Sequence, residues 1–305
     1  MRILITGATG LVGRALTTTL LEHKYQVSYL TTRADQLNAI AGAQGFLWNP
    51  AANTIDENCF KGVDAIIHLA GASISIPWTR KNRQIILESR VQSTQLLQNA
   101  YRNYGEGSCQ KFIAASAIGI YPTDFKQLWK EGDQLGEANG FLAEVVAAWE
   151  NAVGALAEDI PTTIRMRIGL VLSTQGGVLP TLMTPVQFGI GAAFGSGEQY
   201  QSWIHIQDVA NAFLHAVQSL DSGVYNIVAP NPVSQNELIK QLGKVMKRPV
   251  FLPNIPSFFI RLVLGERSNL VTDSKRVSSA RLEASGFQHK FPKLEDALTD
   301  LIKNK

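Results

Sequence analysis

The chain has 305 residues, 45% apolar and 17% charged, with a formal net charge of +3. That length and balance suit one large α/β domain, or one with a smaller appendage, around a sizeable core. The slight charge, with no basic run and no interleaving of basic and aromatic residues, argues against a nucleic-acid partner. Cys59 and Cys109 lack metal-type spacing and read as thiols of a reducing compartment, with a single disulfide left open.

The first strand run, Arg2-Ile3-Leu4-Ile5-Thr6, breaks at once into Gly7-Ala8-Thr9-Gly10-Leu11-Val12-Gly13. Helical-period apolar residues follow (Leu11, Ala15, Leu16, Leu20, Leu21), and then a second β-rich run, Val27-Ser28-Tyr29-Leu30-Thr31, which ends near Arg33. Strand, glycine loop, helix and strand within about thirty residues is the context a dinucleotide-binding fingerprint requires. Gly7 would permit the tight turn, Gly10 the approach of a pyrophosphate, and Gly13 the packing of helix on strand. The start of the helix would offer N–H groups and the positive end of its dipole to phosphates.

Further along, Phe46-Leu47-Trp48-Asn49-Pro50 and Val63-Asp64-Ala65-Ile66-Ile67-His68-Leu69-Ala70-Gly71 are read in turn, the second as an apolar strand running into small residues. A long helix is predicted to about residue 104, with Thr79 as its N-cap. Lys111 to Ser116 reads as a buried strand ending in a hydroxyl, 141–158 as a helix, and 162–172 as another strand run. This alternation predicts a Rossmann-like, doubly wound parallel sheet. Gly7 to Gly13, Arg33, Leu69 to Ala72 and Ser116 fall at strand ends and should converge on one crevice. Beyond Leu172 the glycines thicken, and Pro230 onward reads as mainly helical. Residues 1–230 are therefore taken as an NAD(P)-binding domain, with 173–205 contributing to the substrate lobe, and 231–305 as a mainly helical C-terminal domain. The run Phe258 to Leu264 is the greasiest and is read as a packed helix, since nothing approaches the length of a membrane span. With the first strand at residue 2 no leader is expected. A cytoplasmic protein with no membrane partner is the expectation.

Thr6-Gly7-Ala8-Thr9-Gly10-Leu11-Val12-Gly13, His68-Leu69-Ala70-Gly71 and Ser116-Ala117-Ile118-Gly119-Ile120-Tyr121 resemble the extended (atypical) short-chain dehydrogenase/reductase superfamily. Trp78-Thr79, Ser89-Arg90, Phe141-Leu142-Ala143-Glu144, Trp149-Glu150, Ser202-Trp203-Ile204-His205 and Tyr225 to Val233 narrow the likeness. So do Leu264-Gly265-Glu266, Lys275-Arg276-Val277 and Gly286-Phe287. The chain is similar to that superfamily's NAD-dependent-epimerase-like branch with a C-terminal domain of unknown function (DUF1731 type). Fingerprint and resemblance together imply cofactor contacts at Gly7, Thr9, Gly10, Leu11, Val12, Gly13, Arg33, Leu69, Ala70, Gly71, Ser89, Ser116 and Arg167. Enzymes of this fold that prefer NAD place an acid at the end of the second strand. Here Thr31 and Thr32 lead into Arg33, whose donor fork suits a 2′-phosphate. NADP(H) is favoured over NAD(H), while a solvated Arg33 is the alternative.

The superfamily pairs a serine with a Tyr-x-x-x-Lys on one helix, where residues i and i+4 share a face and the lysine lowers the phenol's pKa. Ser116 stands at the serine position, but Phe141 and Val145 stand at those of the tyrosine and lysine. Tyr121, with Ser116, is the candidate catalytic pair; Glu131, Glu144 and His205 are further acids or bases. Asp208 is read as support for a helix dipole. No metal spacing, nucleophile elbow or P-loop ending occurs. The expected function is an NADP(H)-dependent oxidoreductase or epimerase-like enzyme acting on an unknown small molecule, as monomer or homodimer. The resemblance puts the usual dimer faces at residues 79–104 and 141–158. The alternative is a catalytically silent nucleotide-binding or regulatory protein, linked to cell division as some members of the branch are labelled.

Overall fold

Strands whose side chains are apolar on both faces can only sit inside a sheet covered on both sides, and this chain builds its centre from them. The computed structural model describes residues 1–105, 107–137 and 140–303. Residues 304 and 305, the end of the expected C-terminal domain, lie outside the described residues. In chain order the first elements are β1 (Arg2–Thr6), α1 (Leu11–Glu22), β2 (Gln26–Thr31), β3 (Ala43–Asn49), β4 (Thr54–Ile55), β5 (Ala65–His68) and α2 (Arg80–Tyr104). Next come β6 (Lys111–Ala117), α3 (Phe141–Gly154), β7 (Thr162–Ile168), β8 (Leu170–Leu172), α4 (Leu179–Gln187), β9 (Tyr200–Gln201) and β10 (Trp203–His205). The chain closes with α5 (Ile206–Ser219), β11 (Gly223–Ile227), β12 (Val233–Ser234), α6 (Gln235–Met246), α7 (Ser257–Leu264), α8 (Asn269–Thr272), α9 (Ala280–Ala284) and α10 (Leu294–Lys303).

Among the described residues eight strands form one sheet in the order β11-β7-β6-β5-β1-β2-β3-β4. β1 pairs in parallel with β2 and with β5, β2 with β3, and β5 with β6, while the short β4 is antiparallel to β3. The chain leaves β1 toward one edge and returns on its other side, so β1 and β5 flank the point where strand order reverses. In such sheets ligands bind outside the carboxyl ends of the strands at that point. This is the Rossmann-like, doubly wound architecture read from the alternation, with a helical C-terminal part.

Local chemistry sets the element boundaries. Ile3, Leu4 and Ile5 of β1 and Ala65, Ile66 and Ile67 of β5 are fully buried. α1 lays Gly13, Leu16, Thr17 and Leu20 inward at helical spacing. Thr79 caps α2 as expected, its Oγ1 accepting from Asn82 N at 3.3 Å. The predicted 141–158 helix is α3 followed by a 3-10 turn, Ala155–Glu158. The predicted 162–172 strand is two, β7 and β8, parted at Gly169. A Cβ there would lie 2.3 Å from the Ser202 carbonyl oxygen, so only glycine admits that approach.

The chain divides into two compact units. The first comprises 1–120, 138–167 and 209–225; the second comprises 121–137, 168–208 and 226–305. The second has its own core, in which Leu172, Leu182, Trp203, Leu238, Leu242 and Leu298 are buried together. Asp208, expected to serve a helix dipole, is fully buried there and accepts hydrogen bonds from the N–H groups of Lys290 and Phe291. The run expected to pack as a helix does form α7, but it is not packed. Phe258, Phe259, Leu262 and Val263 are exposed and only Ile260 is buried. Helical period fixes which residues share a face, not whether anything covers it. Among the described residues no helix is long and apolar enough to cross a membrane.

Candidate functional site

At the carboxyl ends of β1, β2 and β5 the first unit opens a cleft of ≈ 790 Å³. Its floor is the glycine loop. Gly7 has φ +70°, and Gly10 N donates to Gly7 O at 3.0 Å, closing the turn into α1. A Cβ on Gly7 would stand 3.0 Å from Ala70 N and from the carbonyl carbon of Leu69. At Gly13 it would stand 2.1 Å from Gly7 O and 2.6 Å from the Ala8 Cα, inside any real contact distance. Gly7 and Gly13 thus leave no room for a Cβ, which lets the loop lie close against Leu69-Ala70 and α1 close against the loop. No side chain caps α1 at Gly10, and no acidic residue sits in its first turn, so the positive end of the helix is left for an anion.

The wall opposite is Leu69-Ala70-Gly71-Ala72, held by polar groups beneath it. Thr6 Oγ1 accepts from Leu69 N at 3.1 Å and Ala70 N at 3.0 Å, and it lies 2.7 Å from His68 Nδ1. A hydroxyl has one proton, so Thr6 gives it to Nδ1. His68 then carries its own proton on Nε2, directed at Ser93 Oγ at 3.1 Å. Burial, and secondarily the nearby Arg90, push the His68 pKa down to about 3, which keeps the ring neutral. Trp48, Phe112 and Trp149 surround it. Ser89 Oγ accepts from Ala72 N at 2.9 Å, and Arg90 Nη1 donates to Ala72 O at 3.1 Å and Ile86 O at 2.8 Å. Burial lowers Arg90 to about 10.

Of the residues expected at the cofactor, Gly7, Thr9, Gly10, Arg33, Leu69, Ala70, Gly71 and Ser89 line this cleft. Leu11, Val12 and Gly13 form the first turn of α1 behind the loop. Arg33 is 68% exposed at its side chain and forks onto Asp35, with Nε–Oδ1 3.1 Å and Nη2–Oδ2 2.5 Å. Each raises the charge state of the other: the Asp35 carboxyl is held below its usual range and Arg33 above. Sequence reasoning missed Arg14, Thr31, Gln36, Trp48, Glu88 and Gln92 as cleft residues. Arg14 could have been found, because position four of a phosphate-facing helix lies one turn from the loop. Trp48 and Gln92 needed the β3 and α2 placements.

Ser116 and Arg167 are not among the lining residues; they meet in the interior instead. Ser116 Oγ donates to Glu150 Oε1 at 2.6 Å, and Arg167 forks onto the same carboxylate at 2.8 and 2.9 Å. All three are buried. In the sequence Glu150 stands out only as part of the Trp149-Glu150 motif. A glutamate in the apolar stripe of α3 was the available signal, since a buried carboxylate must find a cation. Phe141, at the start of α3, packs edge-on against Trp78 with centroids 5.1 Å apart, and the Arg83 guanidinium lies 4.9 Å over its ring. Val145 is buried.

In the second unit Tyr121 is 1% exposed, stacks on Trp129, and donates its hydroxyl to Asn226 Oδ1 at 2.7 Å. Glu131 accepts from Asn226 N at 2.8 Å. His205 is buried against Phe291, its Nδ1 accepts from Gln207 N, and its pKa is lowered chiefly by burial. Glu144 stays in the first turn of α3.

A profile of the NAD dependent epimerase/dehydratase family matches residues 3–228. The chain belongs to that family. Beyond that match, residues 255–301 match a domain of unknown function (DUF1731). The chain is 35% identical over 301 residues to an epimerase family protein of Staphylococcus saprophyticus, covering 98% of each. It is 32% identical to the chloroplastic epimerase family protein SDR39U1 homolog of Arabidopsis thaliana, over 99% of this chain and 87% of that one. Its structure superposes on human epimerase family protein SDR39U1, solved with NADPH, with a TM-score of 0.86, 27% identity and full coverage of both chains.

Proposed function

We propose that this epimerase-family chain binds NADP(H) in the cleft of its first unit and acts as an oxidoreductase or epimerase-like enzyme on a small molecule. The observation that carries the reading is the uncapped start of α1 behind a loop whose Gly7 and Gly13 leave no room for a Cβ. Those residues fit a dinucleotide: the first-turn N–H groups of α1 would hold its diphosphate, and the backbone of Gly7 and Gly10 would lie against it. Thr6 and His68 keep Leu69 and Ala70 at the cleft edge, and Ser89 does the same for Ala72. Arg33 would take the 2′-phosphate. Its present partner Asp35 is a solvent-exposed residue, and such pairs are worth little, so exchanging it for phosphate is easy. The NADPH in the similar human protein supports this choice of nucleotide.

When bound, the nicotinamide supplies the hydride. What remains for the chain is orientation, exclusion of water and a proton at the substrate oxygen. Phe141 and Val145 cannot exchange a proton. The Ser116 hydroxyl donates to Glu150, whose carboxylate is also gripped by the Arg167 fork, so this buried chain would hold a serine oxygen in one orientation. A second reading, binding without turnover, draws support from the same facts: Tyr121 is committed to Asn226 and Ser116 to Glu150.

Calorimetric titration with NADPH and NADH tests the first step. NADPH should bind more tightly, and Arg33→Ala should weaken NADPH by about tenfold or more while barely moving NADH. Failure of both nucleotides to bind would end both readings. Binding with no loss of NADPH absorbance across a panel of carbonyl compounds would select the second.

A further inference from the structure

Against the wall Leu69-Ala70-Gly71-Ala72 lies a half-buried cation whose partners are uncharged. Arg90 of α2 packs on Gly71, where a Cβ would stand 3.1 Å from its guanidinium carbon. The guanidinium sits 5.2 Å over the Trp149 ring of α3, and its Nη1 donates to the Ala72 and Ile86 carbonyls. Among the described residues no carboxylate pairs with it. Glu150, next to Trp149, is already matched by Arg167. Glu88, a carboxylate that lines the cleft, accepts from Gln84 and stands two places from Arg90, so the two face different ways round α2. Burial lowers Arg90 to about 10, which still leaves it charged at neutral pH.

Strand order says which part of a dinucleotide would feel that charge. Arg33 follows β2 and the glycine loop follows β1, so a 2′-phosphate and a diphosphate held there occupy those two positions. The nicotinamide half then falls on the other side of β1, over the ends of β5 and β6, where Gly71 and Arg90 lie. A reduced nicotinamide ring is neutral, whereas an oxidised one carries a full positive charge. An unpaired guanidinium repels the second and not the first, and partial burial strengthens the difference by lowering the local dielectric. His68 shows the same effect inside the fold: burial first, and Arg90 second, hold its ring in the uncharged form.

We propose that Arg90 sets the oxidation state of the nucleotide this cleft prefers, favouring NADPH over NADP⁺ by repelling the charged ring. The inference rests on the nucleotide-binding reading of the cleft and adds a direction to it. A cleft that holds the reduced form is poised to give a hydride rather than to accept one. Arg90 acts through the wall it backs and is a specificity-determining residue, not a catalytic one.

Calorimetric titration of the full chain with NADPH and with NADP⁺ tests it. NADPH should bind more tightly by about tenfold or more. Arg90→Gln should bring the two forms within about threefold of each other, while Arg90→Lys, which keeps the charge, should preserve most of the difference. Arg33→Ala is the control: it should weaken both forms alike and leave their ratio unchanged, because they are identical at the 2′-phosphate. If Arg90 served only to hold Ala72 and Ile86, Arg90→Gln would weaken both forms equally, and that outcome overturns the proposal. So does a parent protein that binds NADP⁺ as tightly as NADPH, a result that needs no variant to fold. Binding of neither form refutes the nucleotide reading itself, and this inference with it.

Discussion

Gly13→Ala adds one methyl group where the structure has none to spare. The new carbon would start 2.1 Å from Gly7 O and 2.6 Å from the Ala8 Cα, both of them backbone atoms of the loop itself. No rotamer change relieves this, so α1 must move away from β1 or the loop must open. Overpacking of this kind costs about 1–3 kcal/mol, against which alanine's helix preference returns at most about 1 kcal/mol. A net loss of about 1–2 kcal/mol should lower the melting temperature by about 2–8 °C for units of this size. Moving the first turn also displaces the N–H groups proposed to hold a diphosphate, so NADPH affinity should fall further than stability does. Gly154→Ala is the control. Gly154 closes α3 with helical φ of −58°, and nothing lies within 4 Å of a Cβ there. It should be neutral or stabilising by up to about 1 kcal/mol. Thermal melts and NADPH titrations of both variants decide the matter. Equal behaviour of Gly13→Ala and Gly154→Ala would refute the claim that close packing of α1 on the loop shapes the cleft.

Glu150→Ala leaves the Arg167 guanidinium buried without its carboxylate and should cost about 3–5 kcal/mol in urea unfolding, whereas Glu150→Met combined with Arg167→Met should cost much less than the sum of the single changes. His68 is neutral in the fold down to about pH 3 but titrates near 6.5 once unfolded, so below pH 6.5 the unfolded chain binds the extra proton and stability falls by up to about 1.4 kcal/mol per pH unit. Urea midpoints at pH 7, 6 and 5 should drop more steeply for the parent than for His68→Gln; parallel slopes would show that His68 is not buried neutral. His205 shifts the same way, so the difference between the two proteins, not the slope itself, is the measurement. Tyr121→Phe removes the proton given to Asn226 and should cost about 1–3 kcal/mol, leaving NADPH affinity unchanged in a calorimetric titration.

What could be read along the chain was whatever depends on neighbours in sequence. The glycine spacing from Gly7 to Gly13, the alternation of strands and helices, the Thr79 cap and the missing acid before Arg33 are all local. Turn geometry, period and capping are set within a few residues. That was enough for the doubly wound sheet and for most of the cleft floor. Two positions expected near a cofactor, Ser116 and Arg167, do lie together, but around Glu150 and inside the fold rather than in the cleft lining. Strand-end position gives the height of a residue in the sheet and says nothing of which carboxylate a neighbouring helix will bring to it.

The rest required the tertiary structure, because burial and partnership are properties of pairs far apart in the chain. Only the fold could show that the Tyr121 proton goes to Asn226, 105 residues away. Only the fold could show that Asp208 ties down Lys290 and Phe291, or that His68 sits neutral beneath Leu69 and Ala70. The same holds for α7: its apolar period is written in the sequence, but exposure is decided by what else packs there, and of the α7 side chains Ile260 alone is fully buried. The sequence determined the elements and the glycine loop through short-range sterics. The tertiary structure decided which polar groups satisfy one another and which apolar face stays open, since desolvation and pairing act across the fold.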